Sequence, residues 1–394
     1  MQKVLWLASW YPSKIAPFDG DFVKRHAVAV ARLVPVALLH VIKDAEGRYT
    51  KDVTIHESQE NGLHEIIAYY KPLVTKSLLI NKLISFIKFL ALNKRIIRKH
   101  INENGLPDLV HVHVPMRAGI VGIWMKKIYK TPLMVSEHWC GYNHLNPDNF
   151  FKRSLIFRRS TKQILQSAEL VTMVCEANRK ELRSLFSLKK SSVITNVGDT
   201  DEFYYEAGEM AEFTFVHVSS LTYQKNIEGI LQALASLGAK AVSWKLLVIG
   251  PYKQQQYELS RQLGLENFTV WLGEMPYRQV AFQVRKASSM IMFSRFENLP
   301  CTLVEALLCG LPVIASNVGG IPEIINESNG LLIESENIDQ LNKAIRSMLT
   351  NYKNYDRREI AARAKERFSY EKVAQQFVKT YNTMCGCADV RMCE

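Results

Sequence analysis

Several things are missing from this sequence, and each absence removes a class of protein. No apolar run reaches the ~18 residues that a membrane-spanning helix requires, so a chain that threads the bilayer is not expected. No G-x-G-x-x-G follows a strand-like run, and there is neither a G-x-x-x-x-G-K-[ST] phosphate loop nor a G-x-S-x-G elbow. Those gaps remove the usual nicotinamide and flavin enzymes, the phosphate-loop hydrolases and the serine hydrolases. Cysteine is scarce: the seven are odd in number and scattered. Cys140, Cys175, Cys301 and Cys309 sit in apolar contexts that suit buried free thiols, which fits a reducing cytoplasm. "CGCADVRMC" at the carboxyl end lacks the histidine or fourth cysteine that would complete a zinc site, and reads as a loose tail. "DGD" (Asp19, Asp21) and "DTD" (Asp199, Asp201) lie in turn-like contexts and read as loop residues, so no metal is expected. The amino terminus, "MQKVLWLASWYPS", has no small-residue cleavage site and reads as a first strand rather than a signal peptide.

What is present points to a large α/β protein. A chain of 394 residues exceeds what one core usually supports, so two domains are expected. Short apolar runs alternate with helical patterns: "KVLWLAS", "VPVALLHVI", "LVHVHV", "PLMVSEH" and "LVTMVC", then "FTFVHVSS", "WKLLVIG", "FTVWLGE", "SMIMFS", "PVIAS" and "GLLI". Apolar strands separated by helices mean parallel sheets covered on both faces. The break between the sheets is expected near the polar segment "ITNVGDTDEFYYEAGEMAEF". Ligands of such sheets bind beyond the carboxyl ends of the strands, and a cleft between two domains is a favoured place. The net charge of +12 predicts an anionic partner.

One segment, Lys76 to His100, reads as a helix with more apolar surface than a crossover helix needs. Leu79, Leu83, Phe86, Leu90 and Ile97 form one stripe, Leu78, Phe89, Leu92 and Ile96 a second, with cations between. Either both stripes pack inside the domain, or the second rests on an anionic bilayer. A further basic cluster, "FKRSLIFRRSTK", adds to the second reading.

The stretch "SRFENLPCTLVEALLCGLPVIASNVGGIPEII" carries the chemistry. Thr302 and Glu305 fit the S/T-x-x-E capping box, and Gly310 and Pro312 are ordinary helix stops. That accounts for Glu305 but leaves Glu297 and "NVGG" without a reason. From Phe293 to Ile325 the chain resembles the donor-site motif of the retaining family 4 glycosyltransferases of the GT-B fold: two glutamates separated by seven residues, a helix, then "VGG.PE". "TNVGDTDEF" resembles that family's interdomain segment, "SSLTYQKNIEGILQAL" its donor-phosphate loop and "MVSEHW" its amino-domain histidine motif. "SWYPSKIAPFDGDFVKRHAVAVA" resembles its first loop and helix, and "RFSYEKVAQQFVKTYNTM" its closing helix.

The resemblance implies two doubly wound, Rossmann-like domains facing across a cleft. Residues 1–196 would form the acceptor side, completed by the carboxyl-terminal helix 370–394, and residues 197–369 the donor side. It implies a UDP- or GDP-sugar donor and a lipid-linked or surface-glycan acceptor. The enzyme would sit at the inner face of the plasma membrane and need no cofactor. Lys225 and the helix opening at Leu303 would meet the leaving diphosphate, with Gly20 near its phosphates. Glu305 would hold the ribose, backbone around Asn298 and Leu299 the sugar, and Thr302 would lie in the same donor segment. Glu297 would lie by the transferring sugar and His138 would reach it from the facing domain. One position departs: the family's arginine five residues before the lysine is Ser220 here, so the phosphate site has lost a cation or takes one from Lys24 or Arg25. Two other readings are a sugar-nucleotide epimerase on the same fold and a basic nucleic-acid-binding protein. Against the latter, no aromatics are interleaved with the basic clusters.

Overall fold

The computed structural model describes residues 2–208, 212–237 and 243–386. Most of the carboxyl-terminal cysteine segment lies outside the described residues. The first sheet holds β1 (Val4–Ala8), β2 (Val36–Lys43), β3 (Val53–Glu60), β4 (Leu63–Tyr70), β5 (Leu109–His113), β6 (Leu133–Glu137), β7 (Leu170–Met173) and β8 (Ser191–Val193). Their order is β3-β4-β2-β1-β5-β6-β7-β8, parallel except where β3 runs antiparallel to β4. The second sheet holds β9 (Phe213–Val218), β10 (Trp244–Ile249), β11 (Thr269–Gly273), β12 (Ser289–Met292), β13 (Val313–Ser316) and β14 (Gly330–Ile333), in the order β11-β10-β9-β12-β13-β14. All its pairings are parallel.

The central strands β1, β5, β6 and β12 are buried at every position, as strands covered by helices on both faces must be. In each sheet the chain reverses its direction of winding beside the first strand laid down, between β1 and β5 and between β9 and β12. Those two crevices face each other.

The apolar-run reading missed β3, β4 and β8. β3 is an exposed edge strand of mixed polarity, "VTIHESQE", and β8 has three half-buried residues, so neither shows an apolar run. The β3–β4 hairpin turns at Asn61–Gly62, both with positive φ (47° and 83°), the pair that a tight primed turn favours.

The expected amphipathic helix spans Leu78–Asn104, and Ser77 caps it by accepting from the Ile80 N–H. Its two stripes do not both run its full length. Phe89, Leu92, Ile96 and Ile97 are buried against the first sheet, whereas Leu78, Leu79, Leu83 and Ile87 are exposed. The spare apolar surface is therefore the amino-terminal half of the helix, projecting past the sheet, and not a second lengthwise face.

The last described helix, Tyr370–Cys385, returns to the first sheet. Val373, Ala374, Phe377 and Tyr381 pack with Trp6, Val23, Ala27 and Val30. Tyr381 also bonds through its hydroxyl to His111 Nδ1 at 2.7 Å.

Five histidines are buried and His138 is half-buried, and desolvation holds all six neutral. His26, His40 and His217 are lowered to about 4, and His111, His113 and His138 well below their ordinary value. A group whose folded pKa is depressed leaves the unfolded chain binding more protons, so stability falls as pH drops from about 6.5 toward 4. Glu137, raised by burial to about 7, and Glu305, raised also by burial, act in the opposite sense but are outnumbered. The melting temperature should therefore drop steeply between pH 7 and 5. His113→Leu, which removes two buried nitrogens without partners, should flatten the drop by about one proton's worth. Thermal unfolding followed by circular dichroism checks both, and a melting temperature constant across that window would contradict six neutral histidines.

Candidate active site

Between the two crevices lies a cavity of about 450 Å³. Its floor follows the carboxyl ends of β9 (Val218, Ser219, Ser220), β10 (Ile249, Gly250, Pro251) and β11 (Glu274, Met275). Its far wall is the first loop and helix of the other domain (Pro17, Phe18, Asp21, Arg25), and Cys301, Thr302 and Glu305 close one side. The helix behind Phe18, Asp21–Ala31, starts at Gly20, whose φ of 65° puts it in the left-handed region. A Cβ at Gly20 would come within 2.3 Å of the Trp10 carbonyl carbon, so the loop can fold back on itself only over a glycine.

The helix Cys301–Leu308 opens with Pro300 as its first cap, and no side chain caps it. The capping box expected at Thr302 and Glu305 does not form, and the helix begins at Cys301, two residues before Leu303. Both candidate partners already lie inside the helix, and the Glu305 carboxylate points instead across the cleft. It accepts from the Arg25 guanidinium and from the Tyr277 hydroxyl, the latter at 2.7 Å. Arg25 Nη1 also donates to Tyr277 Oη at 2.5 Å, and Nη2 pairs with Asp21 at 3.0 Å. Burial pushes the Glu305 carboxyl up, and Arg25 and Tyr277 pull it part of the way back. Burial alone would lower Arg25, but Cys301, Glu305, Tyr277 and Asp21 more than reverse it, so the guanidinium stays charged. Gly310, with φ of 72°, ends this helix as expected.

Glu297 sits in the loop that precedes this helix, buried. Its carboxylate accepts from Lys225 Nζ, from Ser294 Oγ at 2.8 Å and from Gln224 Nε2 at 3.0 Å. The loop between the two glutamates is tied to its surroundings residue by residue. Asn298 Nδ2 donates to the His138 carbonyl at 2.9 Å, across the cleft. Asn196 Nδ2 donates to the Leu299 carbonyl at 2.6 Å, and Gly320 N to the Asn298 carbonyl at 2.7 Å. Leu303 is fully buried and anchors the helix in the second core.

His138 follows β6 and lies against Phe22 at 4.6 Å, His26 at 5.6 Å and His113 at 5.8 Å between ring centroids. Its Nε2 is buried without a protein partner. The Glu137 carboxylate beside it accepts from the His138 and Trp139 N–H groups and the Tyr142 hydroxyl, fixing the loop that carries the ring.

The residues expected at a site do converge, but in two clusters. Glu305, Thr302 and Ser220 line the cavity, with Gly20 at the head of the helix that forms its wall. Glu297, Lys225, Asn298 and His138 gather around the glutamate loop. Of the two cations weighed against Ser220, Lys24 turns away to Glu65 at 3.4 Å, and Arg25 reaches the cavity. Sequence reading missed Tyr277, which comes from the helix after β11 and carries no motif. Among the described residues no group of three or more metal-ligating side chains is found.

Two family descriptions match this chain: Glycosyltransferase Family 4 over residues 52–202 and Glycosyl transferases group 1 over residues 205–367. It is similar to an uncharacterized glycosyltransferase of Methanocaldococcus jannaschii, with 26% identity over 85% of this chain and 91% of the relative. It is also similar to the putative teichuronic acid biosynthesis glycosyltransferase TuaC of Bacillus subtilis, with 23% identity over 87% of this chain and 88% of the relative. Among solved structures, sucrose-phosphate synthase of Thermosynechococcus elongatus superposes with a TM-score of 0.78 at 18% identity, covering 98% of this chain and 100% of the other. Anabaena HepE, solved in complex with UDP-glucose, superposes with a TM-score of 0.71 at 18% identity, over 97% of this chain and 100% of the other.

The glutamate loop depends on one backbone position. Gly319 has φ of 55°, and a Cβ there would meet the Glu297 carbonyl oxygen at 1.9 Å. Gly319→Ala should cost more than about 1 kcal/mol from the backbone alone, and more from the displaced loop. Chemical denaturation should show the loss, while Gly264→Ala, also at positive φ but with open space around it, should lose only the backbone part. Equal losses would mean that the close approach at Gly319 is unimportant.

Proposed function

The chain belongs to the family 4 glycosyltransferases and has their GT-B fold, and from that premise we propose that it moves a sugar from a UDP- or GDP-sugar to a lipid-linked or surface-glycan acceptor, retaining the anomeric configuration. One observation carries the reading. Two buried glutamates, Glu297 in a tied-down loop and Glu305 in the helix that follows it, stand on either side of that helix start beside a cavity between the two domains.

In this reading Glu305 holds the ribose hydroxyls, and the base lies over the loops after β10 and β11. Lys225 meets the phosphate next to the transferring sugar, and the amino end of the helix Cys301–Leu308 adds its dipole. Backbone at Asn298 and Leu299 holds the sugar, with Glu297 beneath it and His138 opposite. The bond between the anomeric carbon and the phosphate oxygen breaks as the acceptor oxygen bonds the same face of that carbon. The acceptor's proton passes to the departing phosphate oxygen. The protein supplies charge stabilisation and position rather than a nucleophile. HepE and TuaC support the donor class and the surface-glycan setting by likeness.

The acceptor side includes the exposed half of the helix Leu78–Asn104. No described helix is long and apolar enough to cross a membrane, but Val74, Leu78, Leu79, Leu83 and Ile87 expose an apolar surface. An open trough of about 510 Å³ continues it along Leu90, Lys94, Arg95 and Arg98. Apolar side chains beside cations match an anionic leaflet, each cation near the surface contributing about 1 kcal/mol. Lys99 is engaged by Glu57 and Glu103 and Lys88 by the Lys71 carbonyl, which leaves Lys76, Lys82 and Arg95 as the better contributors.

Proton NMR of the product should show an α-linked sugar from an α-linked donor, and turnover should survive chelation; an inverted product, or a strict need for magnesium or manganese, would overturn the retaining, metal-independent reading. Anionic liposomes should sediment the protein at low salt. Leu78→Ser with Leu79→Ser and Leu83→Ser should abolish that sedimentation and leave donor binding intact. Sedimentation unchanged by the triple variant, or absent from the parent, would remove the bilayer from the proposal.

A further inference from the structure

We propose that Arg25 is the cation that receives the donor's diphosphate, leaving Glu305 for the phosphate as nucleotide enters and so freeing that carboxylate for the ribose. The inference rests on the nucleotide-sugar reading above and names how that site is charged. The cavity is electrostatically wrong for a diphosphate as it stands. Three carboxylates line it, Asp21, Glu274 and Glu305, against one cation among the described lining residues, Arg25. The floor, with Ser219, Ser220 and Gly250, carries no charge, and the Ser219 and Gly250 N–H groups are already donated to the Ile249 and Gly273 carbonyls. Lys24 is paired outside with Glu65, and Lys225 lies beyond the lining, on Glu297.

Arg25 is built to change partners. It rises from the helix whose first turn borders the cavity, and the residue is only 7% exposed. Its Nη1 is shared between Glu305 and Tyr277, its Nη2 is on Asp21, and its buried Nε has no partner at all. A planar guanidinium in the cavity wall, with one donor unused, is suited to take a phosphate through two parallel bonds. The two halves of the site then behave alike. Each glutamate holds a cation, Lys225 on Glu297 and Arg25 on Glu305, and each cation has one phosphate to move to.

Calorimetric titration of UDP, GDP and ADP, each against its nucleoside, tests this. Arg25→Ala should weaken binding of the preferred diphosphate by about tenfold or more, while leaving its nucleoside unchanged or tighter, since Glu305 is then free. Adding Ser220→Arg, which places a guanidinium on the cavity floor, should recover most of the diphosphate affinity. Equal diphosphate affinity in the parent and Arg25→Ala would overturn the proposal. So would equal weakening of nucleoside and diphosphate, which would make Arg25 only a prop for Glu305. If Arg25→Ala does not fold, Arg25→Gln, which retains a donor for Glu305, is read by the same two criteria. Binding of no nucleoside diphosphate by the parent would instead sink the nucleotide-sugar reading, and this inference with it.

Discussion

A guanidinium can be buried only where anions answer it, because an uncompensated charge in a low-dielectric interior costs several kcal/mol. Arg25 is therefore a constraint on the whole molecule. Its carrier helix belongs to one sheet and Glu305 to the other, so the two halves must meet at one separation for the pair to form. Tyr277 and Asp21 complete the shell, and between them they account for both Nη atoms. A surface ion pair would be worth little. This one is large in its consequences because removing either partner strands the other.

At the glutamate loop the other cross-links are neutral and directional. Asn298 to the His138 carbonyl and Asn196 to the Leu299 carbonyl hold the glutamate loop from two sides without adding charge. The division is physically sensible: amide bonds fix geometry, while the charged groups remain available to exchange partners. The buried histidines beneath the cleft form a separate layer. His113 stacks on Trp6 at 3.9 Å and lies nearly parallel to His138, so the ring at the cleft rests on a packed aromatic column rather than on a flexible loop.

Much of this was legible in the residues. Strands buried on both faces announce themselves as apolar runs, and the two glutamates with their helix and glycines were visible as a motif. What was not legible has identifiable causes. The β3–β4 hairpin was hidden because an edge strand with one wet face has no apolar run, although Asn61–Gly62 was a usable turn signal. The capping box misled because spacing alone cannot say whether Thr302 stands before a helix or within it. Pro300, which can precede a helix but not continue one, was the better marker of the start. Tyr277 could not be found at all from sequence, since its role depends on the register of a helix against the opposite domain. The surplus of leucine near Leu78 was read correctly as surplus but assigned to the wrong dimension, because periodicity reports faces and not where a supporting sheet stops.

The return of the helix Tyr370–Cys385 to the first sheet has a consequence for biosynthesis. Phe377 and Tyr381 lie in the core beside Trp6 and His111, yet they leave the ribosome long after β8 has been made. At typical elongation rates of about 5–20 residues per second, the first domain waits about 10–35 s with that groove uncovered. A nascent chain in this state presents an apolar trough along Trp6, Val23 and Ala27, the kind of surface that holdase chaperones bind. The second domain, complete in sequence before that helix emerges, can finish folding while the first is still waiting.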